Sequence, residues 1–285
     1  MKKNFLTRVL TAAVSMSVMM IAGGCGNESP SATESKTEAE TASSETSASD
    51  DSLEKVLDSK KLVLGLDASF PPMGYTDENG NITGFDIDLA QEVCDRLGIE
   101  LVKQPINWDN KQTELNSGNI DCIWNGMSVT SEREEAMCLS EPYMKNSLIF
   151  VVPTDSEIIS ADELKDKKVG VQKGSTAEDI LTGAGLGVEI VGTDDNMTAL
   201  EQMQSGELQA VFIDSVAVNY LVSSNGMKCM FLPDSLMDED YAIGFRKEDA
   251  ALRNEIQNIL HSMKEDGIVA KISEKWFGGD ITTIE

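Results

Sequence analysis

Histidine is almost missing from this chain: one, His261, in 285 residues. It is the side chain that most often serves as a neutral-pH acid or base and as a metal ligand, so Ser-His chemistry and His-bound metal have little to draw on. Cysteine is sparse as well. Five thiols with no C-x-x-C or zinc-ligand spacing make neither a disulfide framework nor a metal knot, and no cofactor is expected. Positive charge is scarce: 23 Lys and Arg stand against 49 Asp and Glu, for a formal net charge of -26. With no basic run beyond the extreme N-terminus, nucleic acid is excluded as a partner, and so is charge-driven docking on an anionic membrane. After residue 22 no apolar run is long enough to span a bilayer.

What is present begins with an export signal. Lys2, Lys3 and Arg8 precede an apolar run over residues 9–22, followed by Gly23, Gly24 and Cys25. This is a charged n-region, a short h-region and a small-residue cleavage site over residues 1–24. Small residues before a single Cys resemble the lipobox of bacterial lipoproteins, in which that Cys, here Cys25, is acylated and becomes the membrane anchor. Residues 25–52 are rich in Ser, Thr and Glu, with no aromatic residue. They bury too little to offset ordering entropy and are expected to form a disordered tether.

From residue 53 strands and helices alternate. Residues 62–67 (LVLGLD) form a buried strand, followed by a loop with Pro71 and Pro72 that forbids helix or central sheet. Leu89, Val93 and Leu97 recur at helical spacing, with Asp88, Glu92, Asp95 and Arg96 on the other face and Gly98 as the stop. Residues 100–104 return as a strand, 111–117 as a helix, and 121–124 as an apolar strand. After the extended run 147–152 the pattern restarts. Strands are expected at 168–171, 188–191, 210–213 and 228–231, an extended segment at 241–245, and a long amphipathic helix over 248–265. Such alternation implies parallel sheets covered on both faces. Two similar α/β units joined by extended segments near 147–152 and 241–245 leave a cleft at the carboxyl ends of the strands, where open α/β folds hold ligands.

The stretch 121–143 carries the densest chemistry. Its strand breaks at Asn125-Gly126 into a polar loop with Ser128 and Thr130, and Ser131 with Glu134 predicts a helix start. Arg133 then falls in the first helical turn, an unfavourable place for a cation because the helix dipole is positive there. Two partners suit it: a ligand carboxylate held by its planar fork, or Glu134 and Glu135 at the surface. Asp214, at the end of an apolar strand, suits either a ligand ammonium or a plain helix cap. Asp67 is open to a ligand donor or to loop N–H groups. Phe70 and Trp108 fit either a ligand sandwich or the core. Met73, Met127 and Met144 are expected to pack. Cys94, Cys122 and Cys138 fall in one unit, where pairing and buried free thiols both fit.

With these residues in view, residues 53–285 resemble the extracellular solute-binding proteins, family 3, of ABC importers for polar amino acids. The resemblance rests on GFDIDL at residues 84–89 followed by Val93, Cys94 and Leu97, on GMSVTSER, SEPY and GFRKED, and on the closing KWFG. It implies a two-lobed α/β clamshell of the type II periplasmic-binding class, with two parallel-rich sheets and two crossover strands. Lobe 1 would comprise residues 53–148 and 244–285, and lobe 2 residues 149–243. It further implies that Arg133, Ser175 and Thr176 hold a ligand carboxylate. Asp214, the Gly126 carbonyl and Ser128 would hold the ammonium, Phe70 and Trp108 would flank the side chain, and Asp67 would meet a donor on it. Asn125 departs from the smaller residue many relatives carry and belongs to the side-chain pocket. The implied partners are a free amino acid such as glutamine, a basic amino acid or cystine, and the subunits of a permease, with the protein acting as an anchored monomer outside the cell membrane. A dehydratase-like enzyme on the same fold is the alternative, with a carboxylate such as Asp67 as its acid or base.

Overall fold

In a computed structural model of the chain, described over residues 50–285, the ordered body starts inside the stretch expected to be a tether. Ser52 is buried and its hydroxyl accepts the Leu252 N–H at 3.1 Å, while the Asp50 carboxylate accepts N–H groups from Ser52 and Ala251. These two polar residues cap helix starts, which a composition-based expectation of disorder overlooks. The export signal, Cys25 and the rest of the tether lie outside the described residues.

The chain then runs through α1 (Ser52–Ser59), β1 (Lys61–Leu66), the short strands β2 (Ser69–Phe70), β3 (Gly74–Thr76) and β4 (Ile82–Thr83), and α2 (Phe85–Leu97). There follow β5 (Glu100–Pro105), α3 (Lys111–Asn116), β6 (Cys122–Ser128), α4 (Ser131–Ala136), β7 (Cys138–Leu139) and β8 (Met144–Val152). The pattern restarts with β9 (Lys168–Gln172), α5 (Thr176–Gly183), β10 (Glu189–Thr193), α6 (Asn196–Gln204), β11 (Ala210–Asp214) and α7 (Ser215–Asn225). It closes with β12 (Met230–Phe245), α8 (Ala250–Glu265) and α9 (Ile268–Phe277).

Two parallel groups form, β5-β1-β6 and β10-β9-β11, as the alternation predicts. Between them β8 and β12 pair antiparallel with each other and with the inner strand of each group, so one hydrogen-bonded path runs through both lobes. The strand expected at 228–231 and the extended segment at 241–245 are one strand, β12. Register shifts near residues 231–237 let it bend past Pro233 and stay paired to β8.

Packing follows the apolar periodicity. Leu62, Leu64 and Leu66 on β1 are buried with Leu89, Ala90 and Val93 of α2 and with Leu252, Ile256 and Leu260 of α8. In the second lobe Phe150, Val169, Val171, Leu181 and Phe212 form their own cluster. Every residue of β6 is buried, including the polar Asn125 and Ser128. A central strand buried on both faces is normally apolar, so polar side chains there need a reason. Met73, Met127 and Met144 are fully buried packing residues. Cys94, Cys122, Cys138 and Cys229 are free thiols.

Candidate functional site

The carboxyl ends of the parallel strands point at a single cavity with about 340 Å³ of empty space. Asp67 follows β1, Trp108 lies in a short turn after β5, and Asn125, Gly126 and Ser128 belong to β6. From the other lobe come Gln172 at the end of β9, Ser175, Thr176 and Ala177 at the start of α5, and Asp214 at the end of β11. Phe70 of β2, Arg133 of α4 and Leu148 of β8 complete the lining. All ten lining positions expected from the sequence are therefore brought together. Gln172, Leu148 and Ala177 were not foreseen.

Arg133 occupies the third position of α4, whose true cap is Thr130 rather than Ser131: the Thr130 hydroxyl accepts the Arg133 N–H at 3.2 Å. Its side chain does not run along the surface to Glu134 or Glu135. It is 8% exposed, and Nη1 donates to the Ser128 carbonyl at 2.8 Å. Burial lowers its pKa, and Glu239, Asp179, Glu132 and Asp214 pull it back up. A guanidinium with donors to spare, aimed into a cavity beside a helix N-terminus, is built for an anion.

Asp214 sits at the cap position of α7, yet its side chain makes no cap bond. Instead its Oδ1 accepts from the Tyr241 hydroxyl at 2.5 Å and from Asn146 Nδ2 at 2.8 Å. Burial raises its pKa; hydrogen bonds from Tyr241 and Glu239 and the charge of Arg133 oppose that. A half-buried carboxylate so oriented is an acceptor for a cation.

Asp67 spans the cavity floor. Its Oδ1 accepts the Ser69 N–H and its Oδ2 accepts Gln172 Nε2 at 2.8 Å from the opposite lobe. Both loop and cross-cavity partners are thus realised, and burial lifts its pKa to about 6. Phe70 and Trp108 are buried and line the cavity at the same time. Lys111, at the start of α3, lies over the Trp108 ring at 5.1 Å and donates to the Gly174 carbonyl at 2.7 Å, tying the lobes together beside Ser175. Burial, then the nearby Arg133, brings its pKa down to about 8. Two polar atoms on lining residues, Asn125 Nδ2 and Thr176 Oγ1, are buried without a hydrogen-bond partner. Orphans of this kind cost about 1–3 kcal/mol each unless water or a ligand supplies the missing partner.

Residues 62–279 match the profile of bacterial extracellular solute-binding proteins, family 3. The chain belongs to that family. It is 30% identical over 232 residues to the L-cystine-binding protein TcyJ of Escherichia coli, spanning 81% of this chain and 87% of that one. Against the arginine-binding extracellular protein ArtP of Bacillus subtilis it is 33% identical over 227 residues, covering 78% and 88% of the two chains. Among solved structures, an ABC uptake transporter substrate-binding protein from Streptococcus pneumoniae with bound histidine superposes with a TM-score of 0.79. The two share 34% identity over 82% of this chain and 99% of the other.

In this solute-binding protein the groups behind the lining are as constrained as the lining itself. Gly126 has φ +59, and a Cβ there would lie 2.8 Å from the Phe70 ring. Its N–H donates to Asp86 Oδ2 at 2.8 Å, which also accepts from the Tyr143 hydroxyl. Asp86, the first acid of the GFDIDL motif, is thus a fully buried support for the cavity loop, and burial raises its pKa to about 7. Its periodic position on α2 was readable; its contact with Gly126 was not. His261 is half-exposed on α8 against Gln257 and Glu141, outside the cavity lining.

Proposed function

We propose that this protein is the substrate-binding component of an ABC importer for a polar amino acid, closing its lobes around the free zwitterion. Arg133, with the Ser175 and Thr176 donors, takes the α-carboxylate. Asp214, the Gly126 carbonyl and the Ser128 hydroxyl take the α-ammonium. Phe70 and Trp108 flank the side chain, and Asp67 with Asn125 and Gln172 reads its polar end. The observation that carries this is the placement of a buried guanidinium and a half-buried carboxylate from opposite lobes on one small cavity. Opposite charges lining one cavity match a molecule carrying both.

Asp67 selects for side chains with donors: glutamine, a basic amino acid, or cystine. The relatives named for cystine, arginine and histidine agree with that class. Residues 53–148 with 244–285 form the first lobe and 149–243 the second, with β8 and β12 as the two crossings. Each lobe carries half of the ligand's partners, so bound ligand favours the closed state. Acylated Cys25 and the tether to about residue 50 hold the monomer at the outer face of the cell membrane, within reach of a permease.

The test is a melting panel of the twenty amino acids and cystine, followed by calorimetry on the best. One of them at 100 times its Kd is expected to add about 2.7 kcal/mol of stability. A flat panel would sink the proposal. A dehydratase built on this cavity would need Asp67 as its acid, and turnover of prephenate would reveal it.

A further inference from the structure

Behind Asp214 stands a second acid. Glu239 lies on β12, where the ladder sets it opposite Asn146 of β8. It is 6% exposed. Asn146 Nδ2 donates to both acids, to Glu239 Oε1 at 2.7 Å and to Asp214 Oδ1 at 2.8 Å. The Asn146 carbonyl oxygen is held by the Ser215 hydroxyl and the Val216 N–H, so this amide is locked in orientation. Two carboxyl groups thus share one fixed amide. The second Glu239 oxygen, Oε2, is buried, and the Glu239 carboxyl lies within hydrogen-bonding reach of Asp214 and Ser128.

Two negative charges so close, out of water, cannot both persist without a cation between them. One cation faces Glu239, the Arg133 guanidinium, and it is shared with Asp214, Asp179 and Glu132. Asp214 is the nearest charge, at the end of β11. From β6 comes the neutral Ser128, and from α4 the Arg133 guanidinium, close enough to be stabilised by Glu239. On β12 itself Tyr241 is neutral and bonded to Asp214. Asp240 pairs with Lys145 of β8 and Asp238 with Ser147, so the one nearby lysine is already engaged.

We propose that Glu239 is a positioning residue for Asp214 that holds a proton in the ligand-free protein and releases it to solvent when an ammonium group settles against Asp214. The incoming cation replaces the proton as the charge that lets the two carboxylates coexist. One proton leaves Glu239, no covalent bond to the ligand forms, and the buried charge of the cluster is unchanged. Burial, then the Asp214 charge, lifts the Glu239 pKa to about 8, in keeping with a neutral acid at pH 7. This inference rests on Asp214 being the ammonium partner.

E239Q keeps the shape of the neutral acid and removes its proton. The first measurement needs no ligand: an infrared difference spectrum of wild type minus E239Q at pH 7 is expected to show a protonated carboxyl band. An ionised carboxylate band in its place would overturn the proposal. The second is calorimetry with L-arginine, and with L-cystine and L-histidine, in buffers of different ionisation enthalpy. Wild type is expected to release protons on binding and E239Q markedly fewer. Between about pH 7 and pH 8 wild-type affinity should rise about fivefold, with a much flatter response in E239Q. Proton release by Asp67 or Lys111 is common to both proteins and cancels. Equal proton release in the two would overturn the coupling. Failure of all three ligands to bind wild type would count against the amino-acid assignment instead, and the infrared result still decides whether Glu239 holds its proton.

Discussion

Arg133 and Asp214 face the same cavity from opposite lobes, yet they are held in different ways. The carboxylate is embedded in side chains: Tyr241, Asn146 and Glu239 surround it, and its orientation is set before anything enters the cavity. The guanidinium, among the described residues, donates a single hydrogen bond, to a backbone carbonyl. One end of the site is therefore preorganised by a network, the other by burial and by the short helix that carries it. Networks cost most when one member is removed, whereas an under-used fork loses little structure and most of its binding. The two ends should respond differently to the same kind of mutation.

The largest effect is expected from Arg133→Ala. Removing two charge-assisted bonds of about 1.5–3 kcal/mol each would weaken amino-acid binding at least about 100-fold in calorimetry, with Tm nearly unchanged. Arg133→Lys keeps the charge and loses the fork, so it should fall in between. Normal binding by the alanine variant would remove the carboxylate role and with it the contrast.

Gly174→Ala tests closure without touching either charged end. The position has φ +67, and a Cβ would lie 2.7 Å from the Asp109 Cα across the lobes. Because that neighbour is backbone, the lobes must part, and affinity is expected to drop about tenfold or more while small-angle scattering shows a more open particle. An unchanged affinity would mean that this contact does not gate binding.

Asp67→Asn is a smaller perturbation, since the amide can keep the Ser69 and Gln172 contacts in altered form. It is expected to shift preference from cationic toward neutral side chains by roughly tenfold in a competition assay. An unchanged ranking would separate Asp67 from specificity.

The smallest effect concerns stability. Asp67, Asp86 and Glu239 have folded-state pKa values of about 6, 7 and 8, all above the ordinary carboxylate range because of burial. The folded form then holds protons that the unfolded chain gives up, so stability of the ligand-free protein falls as pH rises from about 4 to about 8. Lys111, lowered to about 8 by burial, acts with the opposite sign above that range. Tm is expected to be several degrees higher near pH 5 than near pH 8, and Asp86→Asn should flatten the slope below about pH 7. A rising Tm across this interval would contradict the buried neutral acids.

How much of this was readable beforehand differs by element. The amphipathic helices α2 and α8 bury the faces their spacing predicts, because a packed helix face is a local pattern. The GFDIDL, SER and SEPY motifs located the lining residues because family resemblance carries tertiary information that spacing lacks. By contrast α1 was missed, because Asp50 and Ser52 look polar and featureless until α8 supplies the N–H groups they cap. The long strand β12 was read as two pieces because Pro233 and a polar stretch interrupt it, and only pairing with β8 makes it one.

The order of strands and helices, the acidic charge and the placement of Arg133 in a first helical turn were determined by the sequence alone, since each depends on composition or on neighbours within one or two turns of chain. Tertiary structure decided which polar groups would lose their water together: Asp86 against Gly126, Lys111 against Gly174, Asp67 against Gln172, and Glu239 behind Asp214. These pairs lie 40 to 105 residues apart for the first three. Their chemistry arises from shared burial, which no local pattern encodes.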